Sequence, residues 1–201
     1  MDDPPRGVGI APHIDAVRAV PVARPASDEV AAFAMQPQRA AGAAGAEWDL
    51  LDRAVLAMQA RDWPAVIVPI SAASLGAPSC AYRVRDLAER QAVDPRRIWL
   101  HVESARAVLH APGVVSALAI RHHVGCTIHG ADALDVRASI PDLVDAGVSF
   151  AWLEQATGSS AAGDLAALIG GRSLVRRART HGLVVIGPAE LGCHLMPPAT
   201  R

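Results

Sequence analysis

Lysine and asparagine are absent from this 201-residue chain, and all nineteen of its Lys-plus-Arg cations are arginine. Every catalytic scheme therefore loses an amine base, an amine nucleophile and the asparagine amide as a metal ligand. Aromatics are also scarce, at 3%, so the 51% apolar content rests on Ala, Val, Leu and Ile, which suit closely packed layers of strand and helix. The net charge is −1 and the arginines are scattered rather than gathered in a stripe, which argues against a nucleic-acid binder. Three cysteines, Cys80, Cys126 and Cys193, show no CxxC or other metal spacing and read as buried, reduced thiols.

Several common motifs are missing too. No GxGxxG or Walker A pattern follows a strand-like segment, which lowers the dinucleotide-binding and P-loop readings. Ser71, Ser74 and Ser104 have no GxSxG setting, so a serine hydrolase is not supported. The opening MDDPPRGVGIAPHIDAVR has acids and prolines where a signal peptide needs a basic start and an apolar core, and the expected compartment is the cytoplasm. The longest uncharged window, Trp63 to Tyr82, is interrupted by Pro64, Pro69 and Pro78, so no membrane span is expected.

What the chain does have is repetition. Five apolar, strand-like segments recur: 65–70 (AVIVPI), 97–102 (RIWLHV), 125–130 (GCTIHG), 148–153 (VSFAWL) and 182–187 (GLVVIG). Helix-like stretches separate them, at 79–92, 112–124, 139–146 and 160–181. Gly125, Gly147 and Gly182 stand where a left-handed C-cap would turn each helix into the next strand. Parallel βα units covered by helices explain why the strands are apolar on both faces. Ahead of them, 17–23 and 29–35 read as an antiparallel hairpin, and 47–62 as a helix whose Leu50, Leu51, Ala54, Val55 and Met58 form one apolar face. One domain over 17–196 is expected, with a leader over 1–16 and a tail over 197–201.

In order and spacing these pieces resemble the EAL family of cyclic di-GMP phosphodiesterases, over nearly the whole chain. VPVARPASDEVAAFAMQPQ (20–38) stands for the family's opening motif, with Pro21, Val22 and Phe33 in place. VPISAASL (68–75) is similar to VNISA.SL, and DPRRIWLHVES (94–104) to DP.RL.LEITES. LAIRHHVGCTIHGADA (118–133) stands where LR..G..IALDDFGTG is found, LVDAGVSFAWLE (143–154) resembles L..LPVDFLKID, and ARTHGLVVIGPAE (178–190) follows A..LGL.VVAEGVE. The resemblance implies an α/β fold: a modified TIM-type barrel with an antiparallel N-terminal hairpin strand. It also implies a gap near the first helix, because the stretch that normally adds a helix is cut to 37–46.

EAL enzymes hydrolyse a phosphodiester with divalent cations held by strand-end carboxylates and an Asn, and such hard cations need several oxygen ligands. Carried onto this chain, the signature Glu falls on Ala34, the phosphate-binding Arg on Gln38 and the Asn on Pro69. The first Glu of LEITES falls on Leu100 or His101, while Glu103 keeps the second; the paired aspartates fall on His129 and Gly130. The catalytic Lys falls on Trp152, the Asp after it on Glu154, and the first Glu of the last motif on Gly187, while Glu190 keeps the second. The expectation is a catalytically inactive EAL-like domain with no cofactor, acting as a regulatory module that binds another protein or a second copy of itself. The alternative is a cyclic di-GMP receptor without hydrolysis, disfavoured by the loss of Gln38's counterpart arginine and the DDFG loop, and a residual phosphodiesterase comes third.

The substituted residues carry a second question. His101, Glu103, His129 and Asp132 lie at or just past neighbouring strand ends, where two His and carboxylates could hold zinc, although space-filling polar residues are the simpler reading. His122 and His123 are expected to meet the last carbonyls of a helix. Arg172, Arg176, Arg177 and Arg179 read as a solvated face.

Overall fold

The computed structural model describes residues 13–14, 17–25, 27, 29–37, 46–129, 133–154 and 161–196. Among these, eight strands form one sheet in chain order: β1 (His13–Ile14), β2 (Val17–Ala23), β3 (Val30–Pro37), β4 (Val66–Pro69), β5 (Ile98–Val102), β6 (His123–His129), β7 (Val148–Glu154) and β8 (Val184–Ile186). β1 to β3 pair antiparallel, and every pair from β3 to β8 is parallel. The helices between them are α1 (Ala46–Ala60), α2 (Ala72–Gly76), α3 (Cys80–Arg90), α4 (Ala105–Leu109), α5 (Pro112–Ala119), α6 (Ala133–Asp145) and α7 (Ala161–Thr180). The architecture is the modified TIM-type barrel with an antiparallel hairpin that the sequence leads one to expect, incomplete near its first helix. Residues 38–45, the shortened connection, lie outside the described ones, and α1 is the one described helix joining β3 to β4.

Strand alternation splits the apolar residues into two cores, because successive side chains point to opposite faces of a sheet. Val66, Val68, Ile98, Leu100, Val124 and Ile128 face outward and join the helices in the larger cluster. The predicted face of α1, Leu50 to Met58, is buried there. Val20, Val22, Ala34, Ile67, Phe150 and Ile186 face inward and form the smaller, luminal cluster, together with Leu195 beyond β8.

Leu195 is there because the chain after β8 turns back and closes the seam. The Gly187 and Leu195 amides bond to the Leu195 and Val185 carbonyls at 3.0 and 3.2 Å, while Ala23 and Met196 exchange two backbone hydrogen bonds of 2.9 Å. The segment thus bridges β8 to the end of β2. Arg179 of α7 holds it from outside by donating from Nη2 to the Gly192 carbonyl at 3.1 Å. Arg172 likewise donates to the Glu190 carbonyl at 3.0 Å, so two of the four arginines expected on a solvated face also pin this segment.

Gly147 (φ 97°) and Gly182 (φ 76°) are the left-handed caps expected of them. Gly125 is not a cap. α5 ends at Ala119 and β6 starts at His123, so Gly125 is a strand residue, with a register irregularity between it and Val124. Two short helices, α2 and α4, fall in stretches that carry no long periodic signal. α2 is held by its N-cap Ser71 and by Glu47 of α1, whose carboxylate accepts from the Ser71 amide at 2.6 Å and from the Ser74 hydroxyl. α6 begins at Ala133 rather than Ser139 and carries Pro141 inside it, where the sequence reads a proline near a helix start.

Candidate functional site

The C-terminal mouth of the barrel is where the family resemblance places its chemistry, and strand register shows which residues meet there. Pro69 pairs with His101, His101 with Gly125, and Gly125 with Phe150. One layer further out, Thr127 pairs with Trp152 and Trp152 with Ile186, and then His129 pairs with Glu154. Pro69, His101, Trp152 and Glu154 thus lie toward the C-terminal ends of their strands, whereas Ala34 pairs with Ile67 in the middle of β3, two positions below Pro69.

Alternation also decides between the two candidates on β5. Leu100 is 1% exposed in the outer core, so His101 is the luminal residue, and Glu103, two places on, is exposed at the rim. Gly187 follows β8 and packs tightly: a Cβ there would lie 3.0 Å from Cys193 Sγ and 3.3 Å from the Leu153 carbonyl. Glu190 sits exposed in the turn after β8. Gln38, Gly130 and Asp132 lie outside the described residues, as does the side chain of His129.

The lumen below this rim is filled by rings. His101 stacks on Phe150 at 6.0 Å and meets Trp152 edge-on at 5.9 Å; Trp99 packs on Phe150 at 5.4 Å and on His123 at 5.0 Å. His101 Nε2 is 2.7 Å from Thr127 Oγ1, and Nδ1 is buried with no partner. Burial pushes the His101 pKa down from 6.5 to about 4, so the ring is neutral near pH 7. Thr127, Phe150 and Trp99 were not singled out by motif, although the parity of His101 and Trp152 along their strands places them in the same layers.

As a metal centre, the set His101, Glu103, His129 and Asp132 gains no support from the two members that are described. His101 spends one nitrogen on Thr127 and Glu103 is exposed at the rim. Among the described residues no three His, Cys, Asp or Glu side chains lie together as a metal site. The carboxylates at the mouth that the resemblance retains are Glu103, Glu154 and Glu190, against Ala34, Pro69, Trp152 and Gly187, which offer no side-chain oxygen.

Outside the lumen, His122 does not cap α5 with its side chain: it is 3% exposed, and its ring, with no well-formed hydrogen bond, has the Pro95 backbone as a weak partner. All three cysteines are buried and free, and burial is the main cause raising their pKa values, to about 11 for Cys80 and Cys193 and about 12 for Cys126. No described helix is long and apolar enough to cross a membrane.

No protein-family model matches the chain and no curated protein matches it. Solved structures do. The EAL domain of Mycobacterium smegmatis DcpA superposes with a TM-score of 0.69 at 16% identity, covering 90% of this chain and 89% of that one. The PaMucR phosphodiesterase in its c-di-GMP complex gives 0.68 at 17% identity, covering 90% and 92%. The Xanthomonas citri FimX EAL domain in complex with c-di-GMP gives 0.63 at 17% identity, covering 90% and 84%. At these identities the likeness is one of fold, and the chain has the fold of the EAL domains.

Proposed function

We propose that this chain is a catalytically inactive EAL-like domain that acts in the cytoplasm as a regulatory module, binding another protein or a second copy of itself through the unit 17–196. The observation that carries the reading is the content of the barrel mouth. Ala34, Pro69, Trp152 and Gly187 stand at positions where the family resemblance expects Glu, Asn, Lys and Glu, and the luminal layer is occupied by His101, Phe150 and Trp152. Two-metal phosphodiester hydrolysis needs several hard oxygen ligands and a preorganised positive charge for the transition state. Pro69 and Trp152 supply neither.

A second reading, a cyclic di-GMP receptor without hydrolysis, is favoured by one finding: the FimX and PaMucR structures of the same fold hold c-di-GMP. Against it stands Gln38 in the place of a phosphate-binding arginine. Calorimetric titration with cyclic di-GMP, with and without Mg²⁺ or Mn²⁺, separates the readings. The inactive interaction module gives no micromolar binding and no linear dinucleotide product. Micromolar binding replaces it with the receptor, and metal-dependent turnover overturns the loss of catalysis.

A further inference from the structure

A groove of about 400 Å³ runs between α3 and α5 on the outside of the barrel, away from the mouth. Its volume falls in the range of small-molecule sites, roughly 300 to 1,000 Å³. The apolar wall is Val114, Ala117 and Leu118, and the polar wall is Tyr82, Arg85, Arg121 and His122. No carboxylate lines it. We propose that this groove binds a small organic anion with an apolar body, its carboxylate or phosphate held between Arg85 and Arg121 and its body laid on Val114, Ala117 and Leu118.

Two independent observations point to a ligand. The first is His122, which lines the groove at 3% exposure; neither ring nitrogen makes a well-formed hydrogen bond, and the Pro95 backbone is only a weak partner to the ring. A buried polar group without a well-formed hydrogen bond is costly, so such a group in a native protein calls for an explanation, and a ligand atom supplies one. The second is the convergence of the guanidiniums. A single carboxylate oxygen, Glu89 Oε1, lies 3.7 Å from Arg85 Nε and 3.8 Å from Arg121 Nη1. The two cations are therefore spaced for one anion to bridge them, as arginine forks do with carboxylates and phosphates. Glu89 is largely exposed and loosely held, so an anion entering the groove displaces it at little cost, while Arg85 keeps its 3.1 Å contact with Asp86. Tyr82, 62% exposed, carries the Arg85 guanidinium 5.2 Å over its ring centroid and so holds that cation at the edge of the groove. The proposal does not depend on the reading of the barrel mouth.

The test titrates the full chain with 2-naphthoate, 2-naphthyl phosphate and the neutral 2-naphthylmethanol, followed by ¹H–¹⁵N spectra that include the histidine rings. The expected result is saturable binding of an anion, with shifts at the His122 ring and the amides of 114–122, at least ten-fold tighter than the alcohol. Whichever anion is stronger identifies the headgroup. Arg85→Gln with Arg121→Gln loses that ten-fold preference, Ala117→Phe abolishes binding by filling the groove, and Glu89→Gln tightens it several-fold by removing the competing carboxylate. The proposal is overturned if the alcohol binds as well as both anions, if the shifts map elsewhere, or if Glu89→Gln and the arginine pair leave affinity unchanged in folded protein.

Discussion

The ring of Phe150 lies directly over Gly125, so that a Cβ built on the glycine would stand 2.3 Å from two ring carbons. Gly125→Ala is therefore expected to destabilise the fold by about 2 kcal/mol, the cost of over-packing a filled core. Urea unfolding measures it, and the companion change Phe150→Leu in the same chain should recover part of the loss by vacating the ring's place. An unchanged midpoint for Gly125→Ala would show that the aromatic layer yields freely.

Closure of the seam depends on Leu195, which is 6% exposed in the luminal core, beside Met196, whose backbone pairs with Ala23. Leu195→Ala is expected to cost about 3 kcal/mol. Hydrogen exchange gives the specific readout: the Ala23 amide, which donates to the Met196 carbonyl, should lose protection more than the β5 and β6 amides do. Uniform loss across the sheet would mean that the seam opens only with the whole domain.

Stability should fall with acid in a window to which His101 and His122 contribute most, with His123 and His194 lowered by burial in the same direction. Burial lowers His101 and His122 from 6.5 to about 4, so the unfolded chain takes up protons that the folded chain refuses. Below pH 6.5 stability is lost progressively, and the loss levels off below about pH 4. Between pH 7 and 5 His101 and His122 each contribute a decrease of about 2 kcal/mol. Denaturant titrations at the two pH values should show it, and His101→Gln with His122→Gln should reduce the dependence over this window, leaving the share of His123 and His194; an unchanged slope would contradict the burial of both rings.

The thiols should be silent in the native protein. With Cys80 and Cys193 raised to about 11 and Cys126 to about 12, almost no thiolate exists at pH 8. A disulfide reagent such as DTNB should titrate no fast thiol in the folded chain and three after denaturation. A fast-reacting cysteine in native buffer would mean that its cover opens on the assay's timescale.

Much of the fold was legible in the sequence because it rests on period and punctuation. The five parallel strands lie where their apolar runs put them, the hairpin at 17–37 pairs antiparallel, and the buried residues of α1 are the five that recur at helical spacing. Local signals failed where a residue type serves two purposes. Gly125 resembles a helix cap by position, and only the ring of Phe150, twenty-five residues on, makes it a strand glycine. Pro141 resembles a helix start, yet α6 begins eight residues earlier.

For the candidate site, the residue types at Ala34, Pro69, Trp152 and Gly187 follow from the sequence alone, since no folding can give these side chains an oxygen ligand. Which of Leu100 and His101 faces the lumen follows from the pleat of β5. What only the tertiary structure decided are contacts between residues far apart in the chain. They include the stacking of His101 on Phe150, the seam between Ala23 and Met196, and the groove where Arg85 of α3 and Arg121 beyond α5 converge on Glu89 beside a buried His122. No periodicity in the sequence encodes these, because each arises from the packing of several elements at once.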